Sequence, residues 1–162
     1  MSSDQQGFVP AADAFEVPTR LAGEGFWLEP LGPQHNERDL AAWSGSIAHV
    51  RATPGFLGDW PPLEGMSAEA NLADLVRHAQ DFADRRGFTY SVLAGEEGEG
   101  EAAEVVGCLY IYPAKADPER VHVSSWVRAD RAALDKAVYE AVTNWFAEVW
   151  PFAPERIDYA AR

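Results

Sequence analysis

Residues 120–150, RVHVSSWVRADRAALDKAVYEAVTNWFAEVW, decide the fold. The segment 120–127, RVHVSSWV, is rich in β-branched and aromatic side chains and reads as a strand. A tight turn follows at Ala129 and Asp130. From Arg131 onward, Leu134, Ala137, Val138, Ala141, Val142, Trp145, Phe146 and Val149 fall on one helical stripe, which Pro151 stops. The segment 156–161, RIDYAA, reads as a further strand. Strand, helix and strand in this order predict a right-handed crossover between parallel strands.

Arg128 and Arg131 sit where that helix begins. A helix start carries partial positive charge and unpaired N–H groups, so two cations there are unfavourable unless an anion answers them. Two readings stay open. The arginines hold a phosphate, or they pair with Asp130, Asp135 or Glu119 on the surface, which contributes little.

Working outward, VVGCLYIY (105–112) is apolar on both faces and is expected as a central strand. FTYSVLA (88–94) is a strand before it. GEEGEGEAAE (95–104) is an acidic, glycine-rich turn, and PAKADPE (113–119) is a second turn. Short turns make the three middle strands an antiparallel meander. GFWLEPL (25–31) is a short strand that Pro30 places near an edge or a strand end.

Gly32-Pro33 starts a helix with Leu40, Trp43 and Ile47 on one side. Ser67 caps another, with a stripe at Leu72, Leu75, Val76, Ala79, Phe82 and Ala83 and an end at Gly87. Between them lies RATPGFLGDWPPLEGM (51–66), a loop whose length suggests function. Residues 1–20 are an arm that Phe8, Phe15 and Val17 could pin to the body or to another subunit. Residues 21–162 form one α/β layered domain: a mixed, mainly antiparallel sheet with helices on both faces.

Twenty-six acidic against thirteen basic residues give a formal charge of −13, which disfavours nucleic acid or anionic membrane as general partners. No run of about 20 apolar residues suggests a membrane span. The N-terminus lacks a signal pattern, and Cys108 is the only cysteine. Both fit a reducing, cytoplasmic setting. His35, His49 and His78 show no metal-ligand spacing, so no metal is expected.

The element order, with VVGCLYIYP (105–113), VSSWVRA (123–129) and the helix from Arg131, resembles the GNAT acyltransferase superfamily over residues 20–162. The resemblance implies acetyl-CoA bound where the family's fourth and fifth strands splay apart. It also implies acetyl transfer to an amine, of a small molecule or a peptide, by direct attack. Matched onto this chain, a strand bulge that would pair with pantetheine falls at Ser125, Trp126 and Val127. The pyrophosphate turn falls at residues 128–134, so Arg128, Arg131, Ala132 and Ala133 would face the cofactor, in agreement with the anion reading. The chain departs from the family here. The turn carries Ala132, Ala133 and Leu134 where the family usually has glycines, and the family's later helix and last two strands, which often supply a catalytic tyrosine, have no counterpart. A domain that has lost catalysis and serves in binding or dimerisation is therefore the alternative.

Acetyl transfer needs a base for the ammonium proton and an acid for the leaving thiolate. By alternation His122 shares a face with Ser124 and Trp126 and is a candidate base; its other reading is a half-buried sheet histidine. Tyr110 and Tyr112 lie on one face of the neighbouring strand. Tyr112 is a candidate proton donor and Tyr110 a wall of the acceptor pocket, with aromatic core packing as the alternative. Asp59 and Trp60 are acceptor-binding candidates, because a carboxylate beside an indole suits an amine. Cys108 reads as a buried structural residue. The last strand would expose an edge, and a homodimer is one way to cover it.

Overall fold

The computed structural model describes residues 7–95 and 103–162. Most of the acidic turn at 95–104 and the first six residues of the arm lie outside them. Six strands form one sheet in chain order: β1 (Leu21–Ala22), β2 (Phe26–Pro30), β3 (Phe88–Ala94), β4 (Glu104–Pro113), β5 (Val121–Val127) and β6 (Ile157–Tyr159). Neighbours run antiparallel from β1 to β5, and β6 pairs parallel to β5. The helices are α1 (Asn36–Ser44), α2 (Ile47–Arg51), α3 (Ala68–Ala83) and α4 (Leu134–Glu148).

The sheet separates two apolar layers. On one side Phe88, Tyr90 and Val92 of β3 and Val121, Val123 and Val127 of β5 pack with Val138, Val142, Trp145 and Phe146 of α4. On the other, Cys108 and Trp126 pack with Trp43, Val50, Phe56 and Leu75. Both faces of β3 and β4 are covered, which is why these strands read as continuous apolar runs. Residues 7–20 close the α4 side on the chain's own body. Phe8 meets Phe88 and Phe152, Phe15 meets Trp150, and Tyr90 Oη donates to the Pro18 carbonyl at 2.6 Å.

Several elements differ from expectation. The helix expected from Gly32-Pro33 is three pieces: a 3₁₀ turn at Pro33–His35, then α1 and α2 with a break at Gly45. Buried His35 fixes the first piece. Its Nδ1 accepts from Gly32 N at 3.1 Å, so the proton sits on Nε2, 2.8 Å from the Glu29 carboxylate. The helix expected from Arg131 begins at Leu134, and Ala129–Arg131 make a separate 3₁₀ turn. Ala129 N donates to Ser46 Oγ at 2.9 Å, and Arg128 grips Asp130 in bidentate fashion, so the turn is tied down on its own.

The stripe expected on α3 is partly wrong. Leu72 and Val76 are 39% and 49% exposed, and the buried side is Asn71 and Leu75. The bulge expected at residues 125–127 is also absent: β4 and β5 pair without a shift from Gly107↔Val127 to Pro113↔Val121. The irregularity lies between β3 and β4, at Val92/Leu93. Beside it, Gly107 lets β5 come close, since a Cβ there would lie 2.3 Å from the Trp126 carbonyl oxygen.

Candidate functional site

Two adjoining features meet on β5. The first is a cavity of about 240 Å³ between the sheet and the α1–α3 layer, lined by Asp39, Phe56, Trp60, Asn71, His78 and Tyr110 among others, and by Ser124. The second is the opening between β5 and β6, which pair only from Val121↔Ile157 to Val123↔Tyr159.

Asp39 gives the cavity its chemistry. It lies on the same side of α1 as Trp43, four residues on, and that side faces the sheet. The residue is 4% exposed, and its Oδ2 accepts from Asn71 Nδ2 at 3.1 Å. Asn71 is held in turn, because its Oδ1 accepts from Trp43 Nε1 at 3.1 Å. Among the described residues no basic side chain pairs with Asp39. Burial pushes its carboxyl up to about 6, Asp74 adds to the rise, and the Asn71 bond only partly offsets it.

His78 forms another part of the wall. Tyr112 Oη donates to Asp81 Oδ2 at 3.0 Å and lies 2.8 Å from His78 Nδ1, with Thr89 Oγ1 3.1 Å from the same nitrogen. The phenol has one proton, and Asp81 takes it. The phenolic oxygen can then only accept from His78, which places the imidazole proton on Nδ1 and leaves a lone pair on Nε2. Burial lowers the His78 imidazole to about 4, so the ring is neutral at pH 7. Desolvation also holds the Tyr112 phenol well above its usual range.

The aromatic walls are coupled. Trp60 lies 5.3 Å from Trp43, 6.2 Å from Phe56 and 6.1 Å from Trp126, centroid to centroid. Tyr110 Oη accepts from Trp126 Nε1 at 3.1 Å, and burial keeps its phenol protonated. Gly55 reaches Ser124 Cβ at what would be 3.6 Å from a Cβ of its own, and its φ of +100° suits glycine.

At the opening, the Ser125 carbonyl points away from β4 and toward the gap. Arg162 fills that gap. Its Nη2 donates to Ser125 O at 2.7 Å, its Nε to Asp135 Oδ2 at 2.7 Å, and its side chain is only 4% exposed. Ser125 Oγ lies 2.6 Å from Tyr159 Oη across the same gap. Asp135 Oδ1 is buried with no partner among the described residues.

The structure thus brings Trp60, Tyr110 and Ser124 together at the cavity and Ser125 to the opening. Trp126 is buried in the α1–α3 layer and Val127 in the α4 layer. Arg128 pairs with Asp130 and Glu104, and Arg131 with Glu104 at 3.4 Å, so both guanidinium groups have carboxylate partners. Ala132 and Ala133 precede α4, which has no side-chain cap. His122 is exposed, and with Gly55, Asp158 and Tyr159 it lines a shallow groove away from Asp39. Asp59 is exposed and does not line the cavity. Tyr112 reaches the site only through His78.

Asp39, Asn71 and His78 were missed by sequence reasoning. The signal was present: Asn71, Leu75, His78 and Phe82 fall at helical spacing on one face of α3. Among the described residues no group of three or more His, Cys, Asp or Glu could hold a metal, and no helix is long and apolar enough to cross a membrane.

No protein-family model matches the chain, and no curated protein matches it by sequence. Solved structures do. A ribosomal-protein-S5-alanine acetyltransferase from Vibrio fischeri matches with a TM-score of 0.57 at 10% identity, over 80% of this chain and 67% of its own. The microcin C7 self-immunity acetyltransferase MccE, solved with acetyl-CoA and AMP, matches with a TM-score of 0.58 at 10% identity, over 77% and 62%. RimL, a ribosomal L7/L12 alpha-N-protein acetyltransferase, matches with a TM-score of 0.59 at 12% identity, over 87% and 70%. The chain therefore has the fold of the GNAT superfamily, and it spans roughly two thirds of the length of these neighbours.

Proposed function

We propose that the protein is a GNAT-type N-acetyltransferase that moves acetyl from acetyl-CoA to an amine. One observation carries the reading: consecutive residues of β5 border the two features. Ser124 lines the cavity and Ser125 turns its carbonyl into the strand opening. A thioester laid along the opening would bring its acetyl carbon to the inner end of a cavity that already holds a carboxylate.

In this reading the opening takes the pantetheine arm, whose amide N–H would replace Arg162 as the donor to Ser125 O. The backbone N–H groups of residues 131–134 and Arg131 would receive the pyrophosphate. The acceptor enters the cavity as an ammonium, held by Asp39 and by the faces of Trp60 and Tyr110. A carboxyl near 6 is matched to taking a proton from the attacking amine at neutral pH. Neutral His78, oriented by Tyr112, is the second base within the same wall. The amine nitrogen attacks the thioester carbon, the carbon–sulfur bond breaks, and the thiolate leaves with a proton from solvent or from a wall hydroxyl.

Arg162 favours a second reading. A guanidinium buried in the opening, bonded to the carbonyl that pantetheine would need, suits a domain that binds at the cavity without catalysis. Titration with acetyl-CoA and with CoA, followed by an acetyl-transfer assay over a panel of amines, separates the two: saturable cofactor binding supports the enzyme, and none at millimolar cofactor supports the binding module. A homodimer through β6, the last strand of the sheet among the described residues, belongs to either reading, and sedimentation at high concentration checks it.

A further inference from the structure

The cavity beside α3 is more specific than an amine acceptor site has to be. Among the described residues of its wall, Asp39 is the buried carboxylate, and Asp74 and Arg77 stand at the exposed rim. The one basic side chain on its wall, Arg77, is at the rim, 59% exposed and bonded to Asp74 at 3.4 Å. Facing Asp39 from α3 are Asn71, which donates to it, and Asp74, which repels it. His78 adds no charge. Apart from Ser124, the rest of the wall is aromatic or aliphatic: Phe56, Trp60, Tyr110, Leu31 and Leu75.

A buried anion without a cation costs free energy unless something positive completes it. Aromatic faces round a carboxylate supply both the charge and the apolar shoulders that a substituted ammonium needs. The volume, about 240 Å³, is below the roughly 300–1,000 Å³ of pockets that take whole drug-sized ligands, so it suits a head group.

We propose that this cavity is a cation cage for a compact alkylated ammonium head group, with Asp39 as its counter-ion and Trp60, Phe56 and Tyr110 as its walls, and that it binds such a cation without acetyl-CoA. The proposal stands apart from the N-acetyl-transfer reading, because a quaternary nitrogen has no lone pair and cannot be the acetyl acceptor. The cage disfavours ligands with a carboxylate next to the ammonium, since Asp39 and Asp74 would repel it.

The test is a titration of the full chain with choline and with its neutral carbon isostere, 3,3-dimethylbutan-1-ol, at matched ionic strength, read by calorimetry and by tryptophan fluorescence. Choline should bind at least about ten-fold more tightly than the isostere, about 1.4 kcal/mol. Asp39→Asn should bring choline most of the way down to the affinity of the isostere, leaving only the cation–π share, and leave the isostere unchanged. Trp60→Ala should weaken both. Equal affinity of wild type for the two ligands, no binding of choline, or an Asp39→Asn variant that keeps the full preference would overturn the cage. Should Asp39→Asn not fold, the choline-to-isostere ratio of the wild type decides alone. A parallel acetyl-CoA titration keeps the outcomes apart: choline binding without acetyl-CoA binding leaves the cage and removes the transferase, and the reverse removes the cage alone.

Discussion

Arg162 donates through Nη2 to the carbonyl oxygen of Ser125, 2.7 Å away and across the gap between β5 and β6. The same guanidinium binds Asp135 in the first turn of α4. One side chain thus occupies both the strand opening and the helix start at which a pantetheine and a pyrophosphate would lie.

Acetyl-CoA bound as proposed would have to displace Arg162. Arg162→Ala should raise acetyl-CoA affinity several-fold, measured by calorimetry, while lowering stability because Asp135 is left half-buried without its cation. A variant with weaker cofactor binding would show that Arg162 helps to hold the cofactor rather than excluding it.

The two turn arginines should behave differently. Arg128 is shielded and held by two carboxylates; Arg131 makes one contact at 3.4 Å and is 42% exposed. Arg131→Ala is expected to weaken acetyl-CoA by about two- to five-fold, in keeping with one partly exposed charge contact, and Arg128→Ala by less. Titrations at two salt concentrations check that the effect is electrostatic.

Asp39 should cost stability at neutral pH. Its folded value, about 6, lies above the ordinary 3.8, so the native state binds more protons than the unfolded chain in between. Its favourable contribution is complete below about pH 4 and is lost as pH rises through 6. Asp39→Asn should then stabilise the fold at pH 7 by about 1–3 kcal/mol. His78, lowered to about 4, has the opposite slope: its contribution is present above its ordinary 6.5 and is lost as pH falls through 4. Melting curves of wild type and variant from pH 4 to 8 isolate Asp39 by difference, and a difference that does not grow between pH 4 and 7 would refute the buried-anion account.

Gly107→Ala should destabilise by about 1–3 kcal/mol, because its Cβ would meet the Trp126 carbonyl at 2.3 Å. Backbone cannot yield cheaply there. Denaturant unfolding measures the loss, and a neutral variant would mean that β4 and β5 approach less closely than described.

The architecture was legible where periodicity was strong. The apolar run 105–112, the meander and the crossover from β5 through α4 to β6 all follow from alternation, stripe and turn residues. Element boundaries were less so. Gly45 breaks the first helix, and the Arg128–Asp130 grip separates a 3₁₀ turn from α4, both through contacts distant in sequence or specific in geometry.

The site was harder to read because its polar members look like surface. Asp39 lies in NERDLAAW (36–43) beside other charged residues, and only Trp43 four positions later marks its side as the inner one. On α3, Leu72 and Val76 read as core and proved exposed, while Asn71 and His78, which the apolar stripe leaves out, proved inward. Apolarity alone cannot tell a core stripe from a cavity wall that needs polar groups. Arg162 carried no local signal at all, since its partners Ser125 and Asp135 are brought to it only by the crossover.

The central claim is that the β5–β6 opening receives acetyl-CoA. Calorimetric titration of the full chain with acetyl-CoA tests it most directly. Saturable one-to-one binding, strengthened by Arg162→Ala, is the predicted result; no heat of binding up to millimolar cofactor, in wild type and Arg162→Ala alike, would contradict it.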